Sequence, residues 1–200
     1  MIEIGAGAGQ NVAHLPPKVT RYIALEPSEM FMRRLHRRLE QNNGTFERLA
    51  LQAKAEAIPH RSEVFDTVLS FLVLCSANDP LAALTEVYRV LKPGGRLLFF
   101  EHVLAEQPST ARKQFIFNPL WKRIACGCEL VRDTLRTIEC AGFEETHLRS
   151  DRSRRWALCS GSGPDPGIRS RGSRPSVSVP PTTRRKGERR CLRSPSRNSR

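Results

Sequence analysis

The sequence predicts an open α/β fold: a doubly wound, mostly parallel sheet of seven strands followed by a basic tail. Three observations carry this. Short apolar runs alternate with segments of helical period over residues 1–160. The fourth run, FDTVLSFLVL, is apolar nearly throughout, as a strand covered on both faces is. The first run ends in Gly5-Ala6-Gly7-Ala8-Gly9, and in such sheets ligands bind beyond the carboxyl ends of the strands.

The elements follow in order. Ile2-Glu3-Ile4 enters the glycine turn as strand one, and the short segment Gln10–Leu15 comes after it. RYIALE is strand two. Pro27-Ser28-Glu29 opens a helix in which Ser28 can cap and Met30, Phe31, Leu35 and Leu39 recur at helical spacing. Asn42-Asn43-Gly44 stops it, and FERLALQA and FDTVLSFLVL supply strands three and four. Asp79-Pro80 is a cap with proline in the first turn, starting a helix through Leu84, Val87 and Leu91. Lys92-Pro93-Gly94-Gly95 ends that helix and RLLFFEHV is strand five. Helical stretches are expected at 109–125 and 130–141, with FEETHLRS and RRWALCS as the last strands. Strands alternating with helices imply right-handed crossovers in one parallel sheet. The chain opens inside strand one, so a missing N-terminal segment is expected.

The charge is unevenly placed. The chain carries a formal +13, but residues 151–200 hold 14 Lys+Arg against 3 Asp+Glu, while residues 1–150 hold 19 against 17. From Ser160 onward the chain is rich in Ser, Arg, Pro and Gly and has little to bury, so residues 161–200 are expected to be a disordered tail. Nucleic acid or another polyanion is therefore a candidate partner through the tail alone, at RRKGERR. There is no signal peptide and no apolar run near the roughly 18 residues of a membrane span, so cytoplasm is the default expectation. Six cysteines at irregular spacing in such a chain are expected to be reduced thiols. Cys126-Gly127-Cys128 lacks the second CxxC or His pair of a zinc site, so no metal is expected.

The glycine turn narrows the ligand. Small residues admit close approach of a ligand to the backbone, and the segment behind them presents free N–H groups. A dinucleotide turn, G-x-G-x-x-G, would place its third glycine at position 10, which is Gln10. The pattern here is G-x-G-x-G, preceded by Glu3, with Glu26 closing strand two where its carboxylate can accept both hydroxyls of a ribose. A nicotinamide oxidoreductase is disfavoured by Gln10.

E-x-G-x-G-x-G, the acid at the end of strand two and L-K-P-G-G before strand five together resemble the class I S-adenosylmethionine-dependent methyltransferases. FDTVLSFLVLCS, EVYRVLKPGGRLLFFEHV, NPLWKRIACGCELVRDT and ECAGF resemble the small methyltransferase-like group that includes alkyl thiol methyltransferases. The resemblance spans residues 1 to about 160 and implies a Rossmann-like methyltransferase domain using S-adenosyl-L-methionine.

Carried onto matching positions, the resemblance implies that Glu3, Gly5, Ala6, Gly7 and Gly9 surround the methionine portion of the cofactor. Glu26 would hold the ribose hydroxyls, with Pro27 and Met30 beside the adenosine, and Ala55 and Glu56 by the adenine. Lys54 departs from the superfamily, which often has an acceptor Asp in that slot. Leu74 and Cys75 would lie near the transferred methyl. His102, one residue past Glu101 at the end of strand five, is the polar group placed to hold a substrate proton or steady a thiolate. Asn118, Trp121 and Arg132 fall where this fold builds its acceptor site. The expected reaction is methyl transfer to a small acceptor, a thiol or lipophilic molecule. The alternative is a catalytically inactive remnant whose basic tail binds a polyanion. Members of the group associate with membranes through an N-terminal segment that this sequence does not show, so that property is not carried over.

Overall fold

In the computed structural model the described residues are 1–42 and 44–144, with the backbone of 145–147 and 176–178. Five strands form a parallel sheet: β1 (Ile2–Ile4), β2 (Arg21–Leu25), β3 (Glu47–Leu51), β4 (Phe65–Phe71) and β5 (Leu91–Phe100). Their order is β3-β2-β1-β4-β5, so the topological switch falls between β1 and β4. Helices α1 (Glu29–Gln41) and α2 (Pro80–Val90) link strands, and α3 (Pro108–Ile124) and α4 (Thr134–Cys140) follow β5. A further strand, β6 (Glu144–His147), pairs antiparallel with β7 (Ser176–Ser178), which pairs antiparallel with β5.

Period-two alternation places the core on both faces of the sheet. Ile2, Ile4, Ile23 and Leu25 point to the face covered by α2 and α4, where they meet Leu84, Val87 and Ile138. Tyr22 and Ala24, their neighbours in sequence, point to the other face and meet Val12, Met32, Leu35 and Leu39 beneath α1. Glu3 lies between two core isoleucines and is itself buried. By contrast α3 has no buried residue, and Phe115, Ile116, Phe117, Leu120 and Ile124 are all exposed. No helix among the described residues is long and apolar enough to cross a membrane.

Several expectations are corrected. β4 stops at Phe71 rather than running through Leu74, because Leu72 takes a positive φ of 58° and the chain turns. The N–H groups of Val73, Leu74 and Cys75 then point at the Glu101 carboxylate instead of a neighbouring strand. The Ser28 side chain makes no cap bond to α1; its backbone N–H donates to Glu26 instead. Asp79 does cap α2, accepting from Ala82 N at 3.0 Å. The second helix ends at Val90, and Leu91 pairs with Phe65 as the first residue of β5. The expected strand RRWALCS lies outside the described residues, as does most of the stretch 161–200. Within that stretch the backbone of Ser176–Ser178 pairs with Arg96–Leu98 of β5.

Candidate functional site

At the carboxyl edge of β1 the chain turns through three glycines with positive φ: Gly5 (58°), Gly7 (56°) and Gly9 (80°). Two of them also lack room for a side chain. A Cβ on Gly5 would stand 2.5 Å from Val73 Cγ2, and one on Gly9 would stand 2.9 Å from Leu35 Cδ1. Gly7 is different, since its Cβ would meet only the Gln10 Oε1 at 4.0 Å. Gly5 and Gly9 therefore let the turn settle onto the post-β4 loop and α1, while Gly7 faces open space. That space is a cavity of ≈ 370 Å³. It is lined by Gly5, Gly7, Glu26, Pro27, Ser28, Phe31, Lys54, Ala55 and Glu56 from one side. Leu72, Val73, Ser76, Ala77, Asn78 and Cys126 close the other.

Glu26 is the organising acid of this cavity. It is only 5% exposed, accepts from Gly7 N at 2.7 Å through one oxygen and from Ser28 N at 2.8 Å through the other. Each carboxylate oxygen keeps a second lone-pair direction free for another donor. Glu56 accepts from Asn78 N (3.2 Å) and Asp79 N (3.4 Å), tying the post-β3 loop to the start of α2. Glu3 lies elsewhere: it does not line the cavity, and its carboxylate accepts from Asn11 Nδ2 at 2.7 Å and from the Tyr22 hydroxyl. Burial pushes its carboxyl up, opposed by those two donors. The same burial and the Glu3 charge push the Tyr22 phenol up as well. Ala6 is buried and donates its N–H to Leu25 O, fixing the turn to β2. Phe31 rather than Met30 faces the cavity, because Met30 projects outward from the first turn of α1.

A second constellation lies behind the post-β4 loop. Leu74 and Cys75 are fully buried, and neither lines the cavity. Cys75 Sγ lies 3.3 Å from Cys128 Sγ, and His102 Nδ1 lies 3.1 Å from Cys128 Sγ and 3.9 Å from Cys75 Sγ. The hydrogen bond with Cys75 and the neighbouring His102 hold the Cys128 thiol below the ordinary thiol range, against the opposing effect of burial. The Cys75 thiol is pushed up by the same contact and by its own burial, and His102 is raised by its bond with Cys128. The Trp121 ring stands edge-on to His102, with centroids 6.1 Å apart at 84°.

Charged side chains brace this region. Glu101 accepts four bonds, from Ser70 Oγ (2.8 Å) and from the N–H groups of Val73, Leu74 and Cys75 (2.9–3.1 Å). Arg132 donates to Leu74 O (2.9 Å) and Ala77 O (2.7 Å), and Asn118 Oδ1 accepts from Leu130 N at 2.8 Å. Arg132 and Asn118, expected at the acceptor site, thus hold backbone in place. Sequence reasoning missed Glu101, Cys128, Phe31 and Cys126. Glu101 carried a signal, an acid at the end of an apolar strand, but its partners lie 26 to 31 residues away.

Residues 2–99 match the family model described as a methyltransferase domain. The chain is 38% identical over 152 residues to the rat thiol S-methyltransferase TMT1B, covering 74% of this chain and 61% of that protein. It is 32% identical over 151 residues to the human thiol S-methyltransferase TMT1A, covering 74% and 62%. Among solved structures, a SAM-dependent methyltransferase from Thermotoga maritima superposes with a TM-score of 0.54 at 28% identity, covering 72% of this chain and 63% of that one. The chain thus spans about three-fifths of the length of the curated relatives it matches. Residues 2–99 thus match a methyltransferase domain, and over 151–152 residues the chain is similar to thiol S-methyltransferases.

Proposed function

We propose that this chain transfers a methyl group from S-adenosylmethionine to a small acceptor, a thiol or another lipophilic molecule. The observation that carries the reading is Gly7 on an open cavity beside the buried Glu26 carboxylate, to which its N–H donates. The residues present fit the cofactor. A side chain at position 7 would fill the cradle, and Glu26 has acceptor capacity beyond its two backbone donors. Glu26 would hold the ribose hydroxyls, with Pro27 and Phe31 beside the adenosine, and Ala55 and Glu56 by the adenine. Gly5, Ala6, Gly7 and Gly9 would shape the backbone around the methionine portion, with Glu3 acting from below through Asn11 and Tyr22.

The cofactor, when bound, supplies an electrophilic methyl on a sulfonium; the chain's residues supply alignment and exclusion of water. A thiol acceptor is supported by the similarity to thiol S-methyltransferases. An alkyl thiol with pKa about 8.5 is partly ionised at neutral pH, so steadying a thiolate matters more than a strong base. His102, which does not line the cavity and whose Nδ1 stands 3.1 Å from Cys128 Sγ, is the residue proposed for that task, with buried Cys75 beside it behind the post-β4 loop.

Calorimetric titration of the 200-residue chain with S-adenosylmethionine and S-adenosylhomocysteine tests the reading. Binding is expected for both, weakened in Glu26→Ala by more than about tenfold, since a charge-assisted bond contributes about 1.5–3 kcal/mol. Glu26→Gln, which keeps an acceptor for Gly7 N, is expected to lie between the two. A folded chain that binds neither compound, or binds equally well in Glu26→Ala, overturns the assignment. Methylation of an alkyl thiol by the chain then tests the acceptor class.

A further inference from the structure

We propose that Cys75, His102 and Cys128 form a binding site for a thiophilic divalent cation, zinc above all. The three ligand atoms come from three different segments: the loop after β4, the end of β5 and the loop before α4. They converge on one point, and all three lie within 4.8 Å of one another. In a tetrahedral zinc site with metal–sulfur bonds of about 2.3 Å and metal–nitrogen bonds of about 2.0 Å, neighbouring donors stand about 3.5–3.8 Å apart. The separations here, 3.1, 3.3 and 3.9 Å, bracket that range. A thiol pair alone has no need of an imidazole nitrogen facing both sulfurs. One imidazole and two sulfurs are also the ligand set that softness assigns to zinc rather than to magnesium or calcium.

The site is built rather than incidental. Glu101 fixes the Cys75 loop through three backbone N–H groups, and Glu129 N donates to Cys75 O at 2.8 Å, binding the two cysteine loops directly. Arg132 holds the Leu74 carbonyl and, through its own carbonyl, accepts from Leu104 N two residues past His102. Ligands oriented by such partners lose little freedom on binding a cation. Two thiolates and a neutral imidazole neutralise a divalent ion, so the site binds it without a further charged ligand. Three protein ligands leave a fourth position, the arrangement of a zinc centre that takes water or an exogenous ligand. The inference does not rest on the methyl-transfer reading, because neither the ligands nor the probe involves the cofactor.

The test is titration of the reduced, chelator-treated 200-residue chain with Co²⁺ alone, followed by competition with Zn²⁺. One Co²⁺ per chain is expected, with thiolate-to-cobalt charge-transfer absorption and ligand-field bands of tetrahedral intensity, all abolished by Zn²⁺. Cys128→Ser is expected to lose affinity beyond the roughly 10–100-fold that removal of an outer-shell partner costs. Since Cys128 is buried and serine there could disturb the loop, half-exposed His102 carries the second arm: His102→Ala loses the tetrahedral spectrum and His102→Cys restores it. Cys126→Ser, at an exposed thiol outside the cluster, keeps the spectrum. Absence of a thiolate-to-cobalt band, or a band unchanged in both Cys128→Ser and His102→Ala, overturns the proposal. So does a reduced chain whose Cys75 and Cys128 reoxidise to a disulfide at the same rate with and without the metal.

Discussion

Gly5 and Gly7 have nearly equal positive φ yet do different things, and that difference is measurable. An L side chain in the left-handed region costs about 1–2 kcal/mol at either position. At Gly7 the added methyl meets almost nothing in the protein and projects into the cavity. Gly7→Ala is therefore expected to cost about that much stability in urea unfolding, while cofactor affinity by calorimetry falls further than Gly5→Ala makes it fall. At Gly5 the methyl drives into Val73, so Gly5→Ala is the more destabilising of the two. Equal stability losses, or equal affinities, would sink this division of labour. The turn and Glu26 were legible in the sequence because their meaning lies in spacing over a few residues. The sulfur–imidazole cluster was not. Cys75, His102 and Cys128 are separated by 26 or 27 residues at each step, and only the β4–β5 pairing and the loops beyond it bring them together.

Elements were legible where periodicity was strong and blurred where a side chain redirects the backbone. The α2 start could be read from Asp79-Pro80, because cap and proline act within one turn. The end of β4 could not, since Glu101 sets it from just past the end of the neighbouring strand β5. A comparable clamp joins α2 to the loop before β4. Glu86 accepts from Arg89 and from Ile58 N, while Arg89 donates to the carbonyls of Ile58 and His60. The Arg89 guanidinium holds the Glu86 carboxyl below its ordinary value of 4.5, with burial opposing. A depressed folded-state pKa means stability that is present above the unfolded value and lost as pH falls through the folded one. Lowering pH from about 6 to about 3.5 should thus reduce the melting temperature of the wild type more than that of Glu86→Gln. If both variants lose the same amount, the clamp contributes nothing through Glu86.

At the scale of the molecule, a sheet covered on both faces gives two cores with different duties. The larger one, under α2 and α4, joins strands to helices and reaches the cavity through Ala55 and Val73. The smaller one, under α1, contains Leu35, whose Cδ1 lies 2.9 Å from where a Gly9 Cβ would stand. The turn that cradles the proposed cofactor therefore rests on a core leucine, and packing there is coupled to binding. Leu35→Ala and Leu84→Ala both remove a fully buried side chain, and each is expected to cost about 2–5 kcal/mol in urea unfolding. Their effects on affinity should part. Leu84 belongs to the larger core, which contains none of Gly5, Ala6, Gly7 and Gly9, so Leu84→Ala is expected to weaken the affinity of the folded protein for S-adenosylhomocysteine less than Leu35→Ala does. Leu35→Ala leaves a void directly beneath Gly9, lets the turn sag away from the cavity, and weakens binding severalfold under conditions where both variants are folded. Calorimetry with S-adenosylhomocysteine, after circular dichroism has shown equal folded fractions, decides between them. Equal affinity in the two variants would mean that the turn holds its shape through the Glu26–Gly7 bond and the Ala6–Leu25 bond alone, with the leucine merely filling space.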